Sequence, residues 1–206
     1  MLGNIDINTI KTGDMLLFKY SSFIGRFIEY FTGSNYSHCG IIIKDPDFGS
    51  FKSEGLFFLE SSGFEENPDV EENKVKFGVQ LRKLEDVLKE TNGTVYYRKL
   101  NCTRNDDFYT KLKHAHDIIH DKPYDNNPLH WVRAKYKLEI GNLQNKDTFF
   151  CSALVSFVYM TLGLLPLDTK WSTIELCQLG TEEGKNNLKF VKCKMGLLWR
   201  VRLLVH

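Results

Sequence analysis

The chain has 206 residues, of which 42% are hydrophobic and 26% are charged, and its formal net charge is +1. This length predicts a single domain over residues 1–206 with a hydrophobic core of its own. The balanced charge argues against a nucleic-acid partner, and no apolar run reaches the roughly 18 residues needed to cross a bilayer. The composition is that of an ordinary globular protein.

Five cysteines are spread along the chain without a C-x-x-C pair. An odd, widely spaced set argues against a disulfide framework and against a zinc finger, and it favours a reducing compartment. The first residues lack the basic and apolar regions of a secretion signal. We therefore expect an intracellular, cytoplasmic protein whose free thiols are Cys39, Cys102, Cys151, Cys177 and Cys193.

The N-terminal third of the chain predicts strands around one helix. A turn at Gly13 leads into a short apolar strand that ends at residue 18. Residues 23–31 place five apolar side chains on one helix face. Three consecutive isoleucines indicate a strand over residues 39–44, and residues 56–60 form a second apolar strand. The turn-rich segment between these two strands predicts a hairpin with a long loop.

The middle of the chain begins with an acidic segment, residues 61–76, that has few apolar side chains. It predicts an exposed acidic loop. Residues 79–81 and 94–100 predict two further strands, with a short helix over residues 84–90 between them. A longer helix is expected over residues 108–120.

The last part of the chain predicts a loop over residues 122–125 and a short helix over residues 129–138. An apolar helix follows over residues 151–162 and is closed by Gly163. The apolar residues 197–205 indicate a closing strand. Together these elements predict an α+β fold in which a small antiparallel sheet is packed against helices on one side.

Cys151 is the most informative side chain, because it falls in the first turn of the predicted apolar helix. There a thiolate is favoured by unpaired backbone N–H groups and by the positive end of the helix dipole. His38 precedes a predicted strand and is the candidate base. Glu60 ends the neighbouring apolar strand, and a carboxylate in that position suits the residue that orients the histidine.

Five motifs in this order resemble the circularly permuted NlpC/P60 papain-like superfamily, and most closely its YiiX-like branch, which has poxviral relatives. The motifs are GDMLLF (residues 13–18), SHCGI (37–41), LE (59–60), KPYD (122–125) and FCSALV (150–155). The resemblance implies a papain-like fold in which the histidine precedes the cysteine. It also implies Cys151 as nucleophile, His38 as base and Glu60 as the residue that orients His38.

The resemblance further places Tyr124 on the family's loop tyrosine, which implies that it either lines the site as a substrate-binding residue or helps to stabilise the oxyanion. Residue 39 departs from the pattern, since Cys39 stands where a small aliphatic side chain is commoner. Because Cys39 alternates with His38 along the strand, we expect it to point to the opposite face and to belong to the core.

These observations favour a cysteine-nucleophile hydrolase or acyltransferase that acts on an amide, peptide-like bond through an acyl-thioester and needs no cofactor. One alternative is a lipid ester hydrolase or acyltransferase with peripheral membrane contact. Another is a non-catalytic binding module on the same fold, in a viral or host-associated setting. Cys151, His38 and Glu60 together argue against the binding module.

A metal centre is a third alternative. His116 and His120 stand four residues apart on one helix face, which is a spacing that metal sites use. Because the sequence shows no third ligand, we expect these histidines to lie on a solvated helix surface, and we predict no metal ligands.

Overall fold

Strands rich in β-branched and aromatic residues form one antiparallel sheet of six strands. The computed structural model describes residues 5–21, 34–63, 67–125, 146–180, 188–191 and 193–201. The strands are β1 (Met15–Tyr20), β2 (His38–Lys44), β3 (Leu56–Ser62), β4 (Gly78–Lys83), β5 (Gly93–Asn101) and β6 (Lys194–Val201).

The strand order in the sheet is β4-β3-β2-β1-β5-β6. The predicted hairpin is confirmed, because β2 pairs with β3 in antiparallel register and Gly40 lies opposite Glu60. A Cβ atom on Gly40 would stand only 2.6 Å from the carbonyl oxygen of Leu59 and even closer to the Phe58 ring. Glycine therefore allows β2 and β3 to approach closely beside Glu60.

Four α-helices are described: α1 (Leu84–Glu90), α2 (Asp106–Ile119), α3 (Cys151–Thr161) and α4 (Leu176–Leu179). The helix predicted over residues 84–90 is confirmed, and those predicted over 108–120 and 151–162 differ from α2 and α3 by one or two residues. The start of α2 is fixed by Asn105, whose side chain accepts the Phe108 N–H at 3.1 Å.

The two faces of the sheet are both covered. The larger core cluster joins β1, β2 and β3 to α2 and α3, with Ile41 and Leu154 among its fully buried members. On the other face, Phe58 packs with Leu84 and Val87 of α1. The expectation that the helices lie on one side is therefore wrong for α1, which follows β4 directly and turns its apolar residues onto the opposite face.

The first of the five motifs anchors the sheet. Asp14 is fully buried, and its carboxylate accepts the backbone N–H of Leu100 at 2.9 Å, the Arg104 guanidinium at 3.0 Å and the Tyr97 hydroxyl at 2.5 Å. These bonds fasten the chain just before β1 to β5 and to the segment that follows it. Buried carboxylates need such partners, because an unpaired one is costly to remove from water.

The acidic segment over residues 61–76 is only in part the exposed loop that the sequence predicts, since residues 67, 68 and 73–75 are exposed but others are buried. Ser61 and Ser62 extend β3 and are buried. Asp69 is also fully buried, where it accepts the Leu81 N–H at 2.7 Å and pairs with Lys76 at 3.1 Å. The charge pattern was misleading because the Asp69 carboxylate forms buried bonds within the segment and to β4.

The predicted strand over residues 197–205 overlaps β6 from residue 197 to residue 201, and residues 202–205 lie outside the described residues. The helices predicted over residues 23–31 and 129–138 lie outside the described residues. Within the described ranges, no helix combines the length and the apolar character that crossing a membrane requires.

Candidate active site

His38 and Glu60 are brought together by the β2–β3 pairing. His38 is the first residue of β2, and Glu60 lies opposite Gly40, two residues further along β2. Side chains two residues apart share a face of a sheet. The His38 Nε2 atom lies 2.6 Å from Glu60 Oε2, and both side chains are buried. This hydrogen bond leaves Nδ1 as the ring nitrogen available to another partner.

Three aromatic rings surround the His38 imidazole. The ring centroids of Phe18, Tyr20 and Phe58 lie 5.8, 6.2 and 6.3 Å from the centroid of the His38 ring. Such packing limits the rotamers of the histidine and excludes water from its faces.

Glu60 has further polar neighbours on β4. Its Oε1 atom accepts a hydrogen bond from Gln80 Nε2 at 3.5 Å and lies 3.6 Å from Arg82 Nη1. Arg82 in turn pairs with Glu90 at the end of α1. Because Gln80 lies directly opposite Glu60 in the sheet, the β3–β4 register itself provides this support.

Cys151 is the first residue of α3, and Phe150 is its N-cap without a side-chain hydrogen bond. The preceding Phe149 carbonyl accepts the Ser61 hydroxyl at 2.6 Å, and the Phe149 N–H donates to Pro123 at 3.1 Å. These bonds hold the start of α3 against β3 and against the loop over residues 122–125. The thiol therefore lies at the positive end of a helix whose entry is fixed.

The Cys151 thiol interacts with two neighbouring residues of β2. Hydrogen bonding from Cys39 and, after it, from His38 holds the pKa of Cys151 well below its usual value, although burial opposes this shift. Burial alone would lower the pKa of His38, but its bonds to Cys151 and Glu60 raise that pKa to about 10. Burial and the contact with Cys151 raise the pKa of Cys39 well above its usual value.

These shifts favour an ion pair between a Cys151 thiolate and a His38 imidazolium, and they favour the protonated form of Cys39. An activated thiolate beside an oriented imidazolium is the arrangement that nucleophilic thiol chemistry requires.

Cys39 has a contact that the sequence did not predict. It is fully buried in the larger core cluster, as expected, but it also contacts the Cys151 sulfur. Gln80 and Arg82 were also missed. Their alternation along the strand shows that they share a face, but only the β3–β4 register reveals that Glu60 is on that face too.

Tyr124 lies beside the thiol. Its backbone N–H donates to Phe77 at 2.9 Å, and its ring packs over Gly63, where a Cβ atom would come within 3.1 Å. Burial and the neighbouring Cys151 raise the pKa of the Tyr124 hydroxyl well above its usual range, so it remains a proton donor. That Tyr124 contacts substrate stays a prediction.

His116 is not on a solvated surface, whereas His120 is partly exposed, and the sequence-based argument that the two histidines lack a third potential ligand is wrong. His116 is buried, and Glu71 from the acidic segment approaches it. In the described part of the chain, Glu71, His116 and His120 are the one set of three potential ligands whose donor atoms all lie within 4.8 Å of one another.

The fold is similar to that of a solved structure, the metalloprotein yiiX (DUF1105) from Escherichia coli O157:H7. The two proteins share 16% sequence identity, with a TM-score of 0.52, and the alignment covers 94% of this chain and 97% of that one. The chain therefore has a YiiX-like fold, in which an antiparallel sheet is packed with helices. No protein-family model and no curated protein matches the sequence.

Proposed function

We propose that the chain is a cysteine hydrolase or acyltransferase that forms an acyl-thioester on Cys151. The observation that carries this proposal is the buried His38–Glu60 hydrogen bond of 2.6 Å, together with Cys151 at the start of α3, where its interaction with His38 lowers the pKa of the thiol. A purely structural histidine would need no low-pKa thiolate at a helix start as its partner.

The proposed reaction begins when the Cys151 thiolate attacks the carbonyl carbon of the substrate. The carbonyl π-electrons move to oxygen, and the resulting oxyanion is stabilised by backbone N–H groups in the first turn of α3. As the intermediate collapses, the imidazolium of His38 gives its proton to the leaving amine or alcohol, and the acyl-thioester remains. Glu60 stabilises the imidazolium and fixes its orientation throughout.

The second half of the reaction reverses these roles. Neutral His38 takes a proton from water or from another acceptor, whose oxygen or nitrogen then attacks the thioester carbonyl. The acyl group leaves sulfur, and the Cys151 thiolate is regenerated beside the imidazolium. Water as acceptor gives a hydrolase, and any other acceptor gives an acyltransferase.

We assign the fold to the circularly permuted NlpC/P60 papain-like superfamily. The assignment is supported by the order of the five motifs, by the histidine that precedes the cysteine, and by the YiiX-like fold. The yiiX protein is described as a metalloprotein. The steps proposed here use only Cys151, His38, Glu60 and backbone N–H groups, and a chelator control separates them from metal-dependent hydrolysis.

The substrate class is proposed to be a peptide-like amide, and Tyr124 is proposed to contact it through its phenol. A Tyr124→Phe variant keeps the ring against Gly63 but loses the hydroxyl, so we expect a raised KM with little change in kcat. An unchanged KM for the best amide substrate would remove Tyr124 from the substrate site.

The first experiment is iodoacetamide labelling as a function of pH, with each cysteine followed separately by mass spectrometry. Cys151 should label with a midpoint far below that of Cys102 and Cys177, and His38→Ala should raise its midpoint. If Cys151 labels like the other cysteines and is indifferent to His38, the enzyme proposal fails and a binding module is the better explanation.

The second experiment traps the acyl-enzyme. The protein is incubated with activated short-chain amides and esters and, separately, with phospholipid vesicles, with and without a chelator. A short acyl group on Cys151 that forms regardless of chelator supports the amide substrate, and a long-chain thioester supports the lipid alternative. His38→Ala should slow acylation about 10²–10⁴-fold, as expected for loss of a general acid–base. No adduct at Cys151 with any donor contradicts the proposal.

A further inference from the structure

A second group of chemically active side chains lies outside the Cys151 site. Glu71 comes from the segment between β3 and β4, His116 from the last turn of α2, and His120 from the residue that caps that helix. The His116 Nε2 atom lies 3.0 Å from Glu71 Oε1, and the His120 Nε2 atom lies 4.0 Å from Glu71 Oε2. Neither a residue of β3 nor Cys151 belongs to this group.

The group is built into the fold. His116 and His120 are four residues apart, so the helix places both rings on one side. The Phe48 ring stacks on His116 with centroids 3.8 Å apart and planes 3° from parallel, which fixes the imidazole orientation and points Nε2 at Glu71. The side chains of Glu71 and His116 are only 7% and 5% exposed, whereas His120 is 34% exposed and opens the group to solvent.

The charge around Glu71 is poorly compensated. Within the described ranges, no lysine or arginine nitrogen lies within 4.0 Å of its carboxylate, and its ion-pair partners there are the two histidines. Lys76 pairs instead with Asp69 and with Glu72. Glu72 adds more negative charge, with Oε1 at 3.7 Å from His120 Nε2. Burying a carboxylate without a strong positive partner is costly, and a divalent cation would supply that charge.

We propose that Glu71, His116 and His120 bind a divalent transition-metal ion, for which Zn²⁺ is the preferred choice. Two imidazoles and a carboxylate form a ligand set that Zn²⁺ favours, and a fourth position remains for water or Glu72. Tetrahedral Zn²⁺ with bonds of about 2.0–2.1 Å holds its ligand atoms about 3.3 Å apart. Glu71 Oε2 lies 3.1 Å from His116 Nε2 and 4.0 Å from His120 Nε2, on either side of that value, so small side-chain movements suffice.

The bound ion would join two separate parts of the chain. Glu71 is followed by residues that lead directly into β4, whose Gln80 supports Glu60. His116 and His120 belong to the end of α2, which precedes the loop of Tyr124. The metal would therefore connect the segment before β4 to the end of α2, and it should raise the melting temperature of the whole chain.

The test is titration of the chelator-treated, full-length protein with Zn²⁺ in competition with a chromophoric chelator. Wild type should bind one ion per chain, and Glu71→Gln and His120→Ala should each bind at least tenfold more weakly. His114→Ala is the matched control, because His114 is exposed on the same helix and should bind Zn²⁺ like wild type. His120 is partly exposed, so its variant keeps the test valid if replacing buried Glu71 impairs folding.

Titration with Co²⁺ identifies the ligands. Binding at the proposed site should give a d–d spectrum without a thiolate charge-transfer band, and Cys151→Ser should not change it. The proposal is overturned if wild type binds no ion at 1:1 stoichiometry, or if Glu71→Gln and His120→Ala bind like wild type. A charge-transfer band that disappears in Cys151→Ser would also overturn it, because the metal would then be at the thiol.

Discussion

Replacing Cys39 by alanine should weaken the activation of Cys151. The Cys39 thiol donates to the Cys151 sulfur and is the largest single cause of the low pKa of Cys151, ahead of His38. Alanine removes this donor while keeping a small apolar side chain on β2. The β2–β3 pairing and the His38–Glu60 hydrogen bond do not involve the Cys39 side chain and should remain.

The size of the effect follows from the strength of the lost bond. A hydrogen bond to a charged group contributes about 1.5–3 kcal/mol, and an S–H group is a weak donor, so the lower end applies. Since 1.36 kcal/mol corresponds to one pKa unit, the pKa of Cys151 should rise by about one unit. At a pH below the Cys151 midpoints of both proteins, the thiolate fraction and the labelling rate of Cys39→Ala should be about tenfold lower than those of wild type.

The assay is the midpoint of Cys151 alkylation against pH, measured for wild type and three variants. Cys39→Ser keeps a hydroxyl donor and should retain a low midpoint, whereas Cys39→Ala should not. Cys102→Ala removes a half-buried thiol elsewhere and serves as the control. If Cys39→Ala has the same midpoint as wild type, Cys39 is only a core residue and the low pKa of Cys151 has another origin.

Three further predictions concern pH and stability. Glu60→Gln should move the alkaline limb of kcat/KM below about pH 10, because it removes the carboxylate that raises the pKa of His38. The second prediction compares the unfolding free energies of wild type and a Cys151→Ala/His38→Ala double variant. Their difference should not change between about pH 6.5 and 9, because the Cys151–His38 pair holds one proton in that range in both the folded and the unfolded chain. At pH values below 6.5 the difference should decrease, because the unfolded pair gains a second proton there. At pH values above 9 it should also decrease, because only the folded pair then keeps a proton. Asp14→Ala should reduce the free energy of unfolding in urea by about 3–5 kcal/mol, because it leaves the largely buried Arg104 side chain without its carboxylate partner.

Each of these predictions has a contrary outcome. An alkaline limb that Glu60→Gln leaves in place would mean that another group controls the proton on His38. A difference curve that rises steadily from pH 6.5 to 9 would mean that the folded pair does not hold its single proton. For Asp14, the control is Asp47→Ala, which breaks an exposed pair with Lys52 and should cost less than about 1 kcal/mol.

The sequence predicted the parts of this molecule that depend on local pattern. The isoleucines of β2, the apolar run of β3 and the helix start at Cys151 are encoded within a few residues, and the structure has them at or near the expected positions. The β2–β3 hairpin then brings His38 and Glu60 together, because only two residues separate His38 from the position opposite Glu60.

The contacts that the sequence did not predict depend on distant segments. Arg82 reaches Glu60 only through the register of β3 against β4, and Glu71 reaches His116 only because the acidic segment folds back on α2. Neither placement has a periodic signal in the chain. The acidic residues of that segment were misjudged for the same reason, since charge alone does not distinguish a solvated loop from one whose carboxylates have buried partners.

The bond between the Ser61 hydroxyl and the Phe149 carbonyl joins residues 88 positions apart, and Phe149 lies two residues before the nucleophile. Cys151 acquires its partners only when the C-terminal half of the chain docks onto strands made by the N-terminal half. A nascent or partly unfolded chain therefore carries an ordinary, weakly reactive thiol at this position. We expect alkylation of Cys151 at mildly acidic pH to disappear with the main unfolding transition in urea, so that the reactivity of one sulfur atom reports on the assembly of the entire sheet.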